Sequence, residues 1–346
     1  MRPKMKPNAL RTVIARRKRL KLGHFPTPIE PLKRMSATLG GASLFVKRDD
    51  ASGMGQGGNK VRALEFIIPA ALEAGADLLL TAGVVQSNSV RQIAAAAAKT
   101  GLDCHFAMIT DRVGKTDPDY AWTGNILLDR LYGTSHESIS IKDDRTATLE
   151  GIADRLRNEG RRPYIVPYGC ANRLGAMGYL NAALEISEQI AAQGLAITHL
   201  VHATGTGGTQ AGLIVGFAAL GLPIEVIGID IDADPVGVKS RITSLVHELA
   251  DEIGLDSVPL EAKIVINSSY SDGAYGEAKA PTVQAINMAA RQEALLLDPV
   301  YSGKAFAALI GLSKARRFGL SDQVLFLHTG GTPAIYAYRS LFGYEA

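Results

Sequence analysis

Apolar and polar positions fall into long alternating blocks along this chain. Short runs dense in apolar residues, Ser43–Lys47, 76–82, Asp103–Ile109, 197–203, 224–231 and Gln323–Leu327, read as strands. Between them lie stretches of helical length, 60–74, 89–100 and Gly208–Leu220. That rhythm predicts parallel sheets with helices on both faces, an α/β fold. Residues 143–159 predict a polar-faced helix, and 163–170 a strand running into a glycine-containing loop. A boundary between two series of elements is expected near 172–178, before Gly178.

Ligands of parallel α/β sheets collect at the carboxyl ends of strands, in loops that lead into helices. Four such loops carry unusual sequence: 49–60, 83–91, 203–210 and 328–333. In the third, Thr204-Gly205-Thr206-Gly207-Gly208-Thr209-Gln210 follows a strand and opens a helix. Backbone N–H groups and the helix dipole therefore converge on one point, which favours an anion, most naturally a phosphate monoester. A dinucleotide fold is the competing reading, with Asp230 standing where a ribose-binding acid belongs. Spacing opposes it, because the third glycine of GxGxxG would fall at Gln210. A glycine turn serving only close helix packing is the remaining alternative.

Lys60 stands in Gly55-Gln56-Gly57-Gly58-Asn59-Lys60-Val61-Arg62, at the start of a helix with apolar positions Ala63, Phe66 and Ile67. An amine at the positive end of a helix has a lowered pKa and is a better nucleophile, although most lysines at helix starts are solvated. One embedded lysine and one phosphate cup are the minimum for pyridoxal phosphate, an aldehyde that needs a Schiff base and an anion anchor. Gln86-Ser87-Asn88-Ser89-Val90-Arg91 offers hydroxyl and amide groups at another helix start. It can hold a substrate carboxylate, or Ser87 or Asn88 can be a plain N-cap.

Composition narrows the setting. The 346 residues fit two domains at about 150 each. Lys plus Arg is 37 against 34 Asp plus Glu, a formal charge of +3. Nine of those bases, Arg2, Lys4, Lys6, Arg11, Arg16, Arg17, Lys18, Arg19 and Lys21, crowd the first 21 positions without an acid, so the remainder is net acidic. A solvated helix or arm is the expectation there, since a transit peptide would be rich in Ser; no nucleic-acid partner is expected. Cys104 and Cys170 form no CxxC pair, which speaks against a disulfide framework or a structural zinc and for a reducing cytoplasm. The seven His lack ligand spacing, so no metal is expected. The most apolar stretch, 213–229, is broken by Gly216, Gly221, Pro223 and Glu225, so no membrane span is expected either.

Taken together, the loops resemble the 1-aminocyclopropane-1-carboxylate deaminase and D-cysteine desulfhydrase family. The likeness begins at Gly23-His24-Phe25-Pro26-Thr27-Pro28-Ile29-Glu30-Pro31-Leu32 and continues through Lys47-Arg48-Asp49-Asp50, Gly58-Asn59-Lys60, Gln86-Ser87-Asn88 and Gly207-Gly208-Thr209-Gln210-Ala211-Gly212. It ends with Asp298-Pro299-Val300-Tyr301-Ser302-Gly303-Lys304 and His328-Thr329-Gly330-Gly331. It implies fold-type II, tryptophan synthase β-like, with two open, mostly parallel α/β/α domains: 1–55 with 175–346 binding pyridoxal phosphate, and 56–174 the smaller. Lys60 would carry the cofactor, and Thr204, Gly205, Thr206, Gly207, Gly208 and Thr209 would hold its phosphate. Asn88 would meet its 3-hydroxyl and Thr329 would lie near its ring. Ser87, Asn88 and Ser89 would surround the substrate carboxylate, and Tyr275 and Tyr301 match two active-site tyrosines, with plain core roles as the alternative. A small amino-acid substrate and a homodimer follow from the same resemblance.

Two positions divide that family. The ring-opening deaminases resemble Asp-Pro-Val-Tyr-Glu with Leu after the late His, whereas this chain has Ser302 and Thr329. A hydroxyl near the ring nitrogen stabilises a protonated pyridinium less well than a carboxylate, which suits expulsion of a good β-leaving group. Both residues point to the D-cysteine desulfhydrase side, which includes the L-cysteate sulfo-lyases. Ser89 departs from the usual His or Gln and leaves the leaving group open. The expected activity is β-elimination from a small β-substituted amino acid, with Lys60 and Ser87, Tyr275 and Tyr301 as catalytic candidates. L-cysteate sulfo-lyase, ring-opening deaminase, β-replacing synthase, nicotinamide oxidoreductase and non-catalytic cofactor binding are the alternatives.

Overall fold

The computed structural model describes residues 5–343, so Arg2 and Lys4 of the basic arm lie outside it. The first elements are α1 (Pro7–Ile14), β1 (Ile29–Pro31), α2 (Lys33–Leu39), β2 (Ser43–Lys47) and α3 (Lys60–Glu73). Then come β3 (Leu78–Val84), α4 (Asn88–Thr100), β4 (Asp103–Ile109), α5 (Asn125–Leu131), β5 (Ser135–Ile139), α6 (Arg145–Asn158) and β6 (Pro163–Ile165). The chain continues with α7 (Arg173–Gln193), β7 (His199–Thr204), α8 (Gly208–Leu220), β8 (Glu225–Asp230), α9 (Pro235–Ile253), α10 (Val258–Glu261) and β9 (Val265–Asn267). It closes with α11 (Ala280–Glu293), α12 (Ser302–Lys314) and β10 (Gln323–Leu327).

Two sheets result: six strands in the order β1-β2-β10-β7-β8-β9, and four in the order β5-β4-β3-β6. Among the described residues only β1 pairs antiparallel, with β2; every other pairing is parallel. Every residue of β3 and β7 is buried, the condition of strands covered on both faces. The helices carry clear local signals. Asp144 caps α6 by accepting from Thr146 N and Ala147 N, and the buried Leu149, Ile152, Ala153 and Leu156 follow the helical period. Helix α8 is apolar almost all round and buries Leu213, Ile214, Val215 and Phe217 between its neighbours.

Helix α7 lies between α3 and α8 at distances set by glycine. A Cβ on Gly178 would sit 2.5 Å from the backbone C and O of Arg62 in α3. On the other side, a Cβ on Gly212 or Gly216 would come within 2.6 Å of Ala176 O, Tyr179 Cβ or Ala183 Cβ. Residues 172–178, where a boundary was expected, contain the N-cap Asn172 and first turn of α7.

One expectation needs correction in part. The basic arm forms a helix whose bases are largely exposed, as expected, but it is also tied to the body: α1 buries Leu10 and Ile14, and Arg17 and Arg19 pair with Glu252 and Glu65. The reason lies in α3, where Pro69 has no N–H to offer the Glu65 carbonyl. Leu20 N takes that carbonyl at 2.8 Å, while Leu22 N and Gly23 N donate to the Glu65 carboxylate. The stretch 163–170 is, as expected, a strand, Pro163–Ile165, that runs into a glycine-containing turn, in which Gly169 and Cys170 take positive φ. Helix α3 buries all of residues 61–68, Ala63, Phe66 and Ile67 among them, being packed against α4 and α7 and tied to the arm at Glu65.

Candidate active site

The carboxyl ends of β3, β4, β7, β8 and β10 open onto one cleft of about 740 Å³, its mouth included, a volume that suits a small ligand with a cofactor. Its lining includes Lys60, Ser87, Asn88, Ser89, Thr204, Gly205, Thr206, Gly207, Thr209, Tyr275, Tyr301 and Thr329. Gly208 lies just behind, lining a smaller cavity with Lys60, Cys170 and Thr209. The candidate catalytic, cofactor and substrate residues expected from the sequence, Ser302 excepted, are therefore brought to one place.

Lys60 begins α3 at the end of a loop pinned by backbone contacts. Gly58 N donates to Asp49 O at 2.9 Å and Asn59 N to Thr329 O at 3.0 Å. Gly57 has φ +67°, and a Cβ there would lie 1.9 Å from Asp50 O, so only glycine fits. The Lys60 amine has no hydrogen-bond partner among the described residues. Burial lowers its pKa; the opposing influence is Cys170, whose own thiol is pushed up to about 12 by burial. A desolvated lysine without a counter-ion is held toward its neutral, nucleophilic form.

Opposite stands the glycine cup. Gly207 caps α8 in the left-handed region without a side-chain cap, leaving the first-turn N–H groups to an outside acceptor. Thr204 Oγ1 is buried with no partner, and Asn59 Nδ2 donates to Thr209 Oγ1 at 3.1 Å. An orphaned hydroxyl, helix N–H groups and two further threonines form a donor set suited to a phosphate dianion. The dinucleotide alternative fails here. Asp230 is fully buried and does not line the cleft, with Oδ1 accepting from Asp232 N at 2.8 Å and Oδ2 from Ser268 Oγ at 2.9 Å, so it presents no oxygen to a ribose there.

At the start of α4, Ser87 is the N-cap, accepting from Val90 N at 3.2 Å, and its hydroxyl also meets Ser89 Oγ at 3.0 Å. Asn88, which lines the cleft, has its Oδ1 engaged by Asn125 Nδ2 at 2.9 Å, so its amide nitrogen is the donor it has to offer. The far wall carries Tyr275 and Tyr301, hydroxyl to hydroxyl at 2.7 Å with rings edge to face. Burial raises both phenols, so both keep their protons and can donate.

Ser302 departs from expectation. Its hydroxyl donates to Asp298 Oδ1 at 2.6 Å and accepts from Asp298 N at 2.9 Å, closing the first turn of α12 outside the cleft. Thr329 is the hydroxyl that lines the cleft. Arg112, Tyr168 and Asp232 also line it and went unread in the sequence. Arg112 and Asp232 follow β4 and β8, so the rule that selected the other loops also covered them, but charged loop residues read as solvated.

A family model described as pyridoxal-phosphate dependent enzyme matches residues 20–330. The chain belongs to that family. Within it, D-cysteine desulfhydrases of Salmonella choleraesuis and Klebsiella pneumoniae are each 41% identical over 321 residues, 93% of this chain and 96% of each relative. A crystal structure of a homologue of ACC deaminase, the 1-aminocyclopropane-1-carboxylate enzyme, superposes with a TM-score of 0.85 at 33% identity, covering 99% of both chains. O-ureido-L-serine synthase, at 15% identity and a TM-score of 0.66 over 96% of this chain, shares the fold. The resemblance read from the loops, the fold-type II class and the cofactor are thus borne out, and this member of the family depends on pyridoxal phosphate. No helix among the described residues is long and apolar enough to cross a membrane.

Proposed function

We propose that the protein is a carbon–sulfur lyase that eliminates the β-substituent of a small amino acid, converting D-cysteine to pyruvate, ammonia and sulfide. The observation that carries this reading is a desolvated Lys60 amine, lacking a counter-ion, in the same cleft as an anion cup with an orphaned threonine hydroxyl. When bound, pyridoxal phosphate supplies a sink for the electron pair left at Cα.

The chain's own residues do the rest. Lys60 would hold the cofactor aldehyde, and its free Nζ would take the Cα proton. The 204–209 loop would hold the phosphate, and Asn88 and Thr329, lining the same cleft, would hold the ring. The carboxylate rests on Ser87, Asn88 and Ser89 at the α4 N-terminus. Tyr301, supported by Tyr275, directs a protonated phenol at the departing group. The Cβ–S bond breaks with its electron pair leaving on sulfur, and water completes release of pyruvate and ammonia.

We assign the cofactor side to residues 1–55 with 175–346 and the smaller domain to 56–174, with the cleft between. A cytoplasmic homodimer fits this reading, and Trp122, Leu127 and Leu131 are exposed apolar side chains available to a second subunit. The test is keto-acid release from D-cysteine, L-cysteate, β-chloro-D-alanine and 1-aminocyclopropane-1-carboxylate. Pyruvate from the first three is expected; 2-oxobutyrate from the last as the dominant product would overturn the assignment.

A further inference from the structure

An amino acid in this cleft presents three groups, and two are accounted for. The amine belongs at the Lys60 end and the carboxylate at the start of α4. The remaining polar wall is Arg112, Tyr168, Asp232, Tyr275 and Tyr301. Besides Lys60, Arg112 is the one cationic side chain lining the cleft among the described residues. It is firmly held: one terminal nitrogen donates to Tyr168 Oη at 2.7 Å, the other to Asp232 Oδ1 at 2.6 Å, and the guanidinium lies 4.1 Å over the Tyr275 ring.

We infer that Arg112 forms the subsite for the β-substituent, and that this subsite prefers an anionic one, a sulfonate or thiolate, over a neutral one. The inference rests on the lyase reading above. A guanidinium has five N–H donors, and these contacts use two, leaving a planar set matched to the oxygens of a sulfonate. Pairing in a cleft screened by tyrosines is stronger than in water. Ser89 is short and its hydroxyl is turned to Ser87, so no bulky side chain intrudes from that side. Asp232 is the counterweight, a carboxylate on the same guanidinium that opposes a second anion. For cysteate, the Cα proton passes to Lys60 Nζ and the Cβ–S bond breaks. Its electron pair leaves on sulfur as sulfite, and water completes pyruvate and ammonia.

The test compares cofactor-loaded wild type, Arg112→Gln and Asp232→Asn. Calorimetry measures binding of 3-sulfopropanoate and of propanoate, neither of which can react. Keto-acid assays measure kcat/KM for both enantiomers of cysteate and of β-chloroalanine. Wild type should bind 3-sulfopropanoate about 10- to 100-fold more tightly than propanoate, the span of charge-assisted hydrogen bonds. Arg112→Gln should abolish that preference and lower the cysteate-to-chloroalanine ratio by a similar factor. Asp232→Asn should tighten 3-sulfopropanoate several-fold, a gain that misfolding cannot produce. Equal binding of the two probes by wild type, or equal loss on both substrates in Arg112→Gln, overturns the subsite. If the binding preference follows Arg112 while no substrate yields keto acid, the subsite stands and the lyase reading falls.

Discussion

Replacing Gly178 by Ala should disturb the active site from a position outside it. The added Cβ would sit 2.5 Å from Arg62 C and O and 2.8 Å from Ala63 N, all backbone atoms of the helix that begins with Lys60. Ordinary contact begins at 3.4 Å, so α7 and α3 must separate by close to an ångström. Overpacking of this kind costs about 1–3 kcal/mol, offset in part by the roughly 1 kcal/mol that alanine gains over glycine within a helix. A displacement of about 1 Å at a reacting group can lower turnover on the order of 100-fold. Gly151 is the control: it lies mid-helix in α6 with nothing within 4 Å of an added Cβ. Gly151→Ala should therefore stabilise by up to about 1 kcal/mol and leave activity alone. Urea unfolding and pyruvate release read both variants. If Gly178→Ala matches Gly151→Ala in stability and keeps wild-type turnover, helix spacing does not position Lys60.

Other outcomes follow from the same geometry. Lys60→Ala should abolish borohydride trapping of the cofactor on the chain, read by intact mass, and persistence of a trapped lysine adduct would remove the central assignment. His202 is fully buried with Nε2 unpartnered, and burial lowers its pKa from 6.5 to about 4. The unfolded chain therefore gains a proton there before the folded one as pH falls. This part of the stability is complete above pH 6.5 and lost as pH drops toward 4, by roughly 3 kcal/mol at most. Comparing denaturation of wild type and His202→Gln at pH 7 and 4.5 isolates the effect, and identical pH slopes would contradict it. Ser302→Ala should cost about 1 kcal/mol of stability while leaving kcat within a few-fold, because its hydroxyl serves Asp298. Thr329→Val should change kcat more than stability, and the reverse pattern would restore Ser302 to the ring. Glu65→Ala should free the 17–23 segment, seen as proteolysis at Arg17 or Arg19, because it removes the acceptor of Leu22 N, Gly23 N and Arg19.

Local pattern alone determined much of this protein. The βαβ rhythm, the Thr204–Thr209 cup and the Lys60 loop are written in contiguous residues. Their physics is local too: a helix start gathers N–H groups, and positive φ demands glycine at 57 and 207. Tertiary structure decided what depends on distant segments. Arg112, Tyr168 and Asp232 come from three separate loops and become a polar wall only once β4 and β8 bring their ends to one cleft. The fate of the basic arm was equally hidden, because it turns on a carbonyl released by Pro69 forty-nine positions after Leu20. Ser302 was placed by the carboxylate of Asp298 rather than by its motif. Periodicity reports which face of an element is apolar, whereas partner choice for a polar side chain is settled by whichever groups burial leaves nearest.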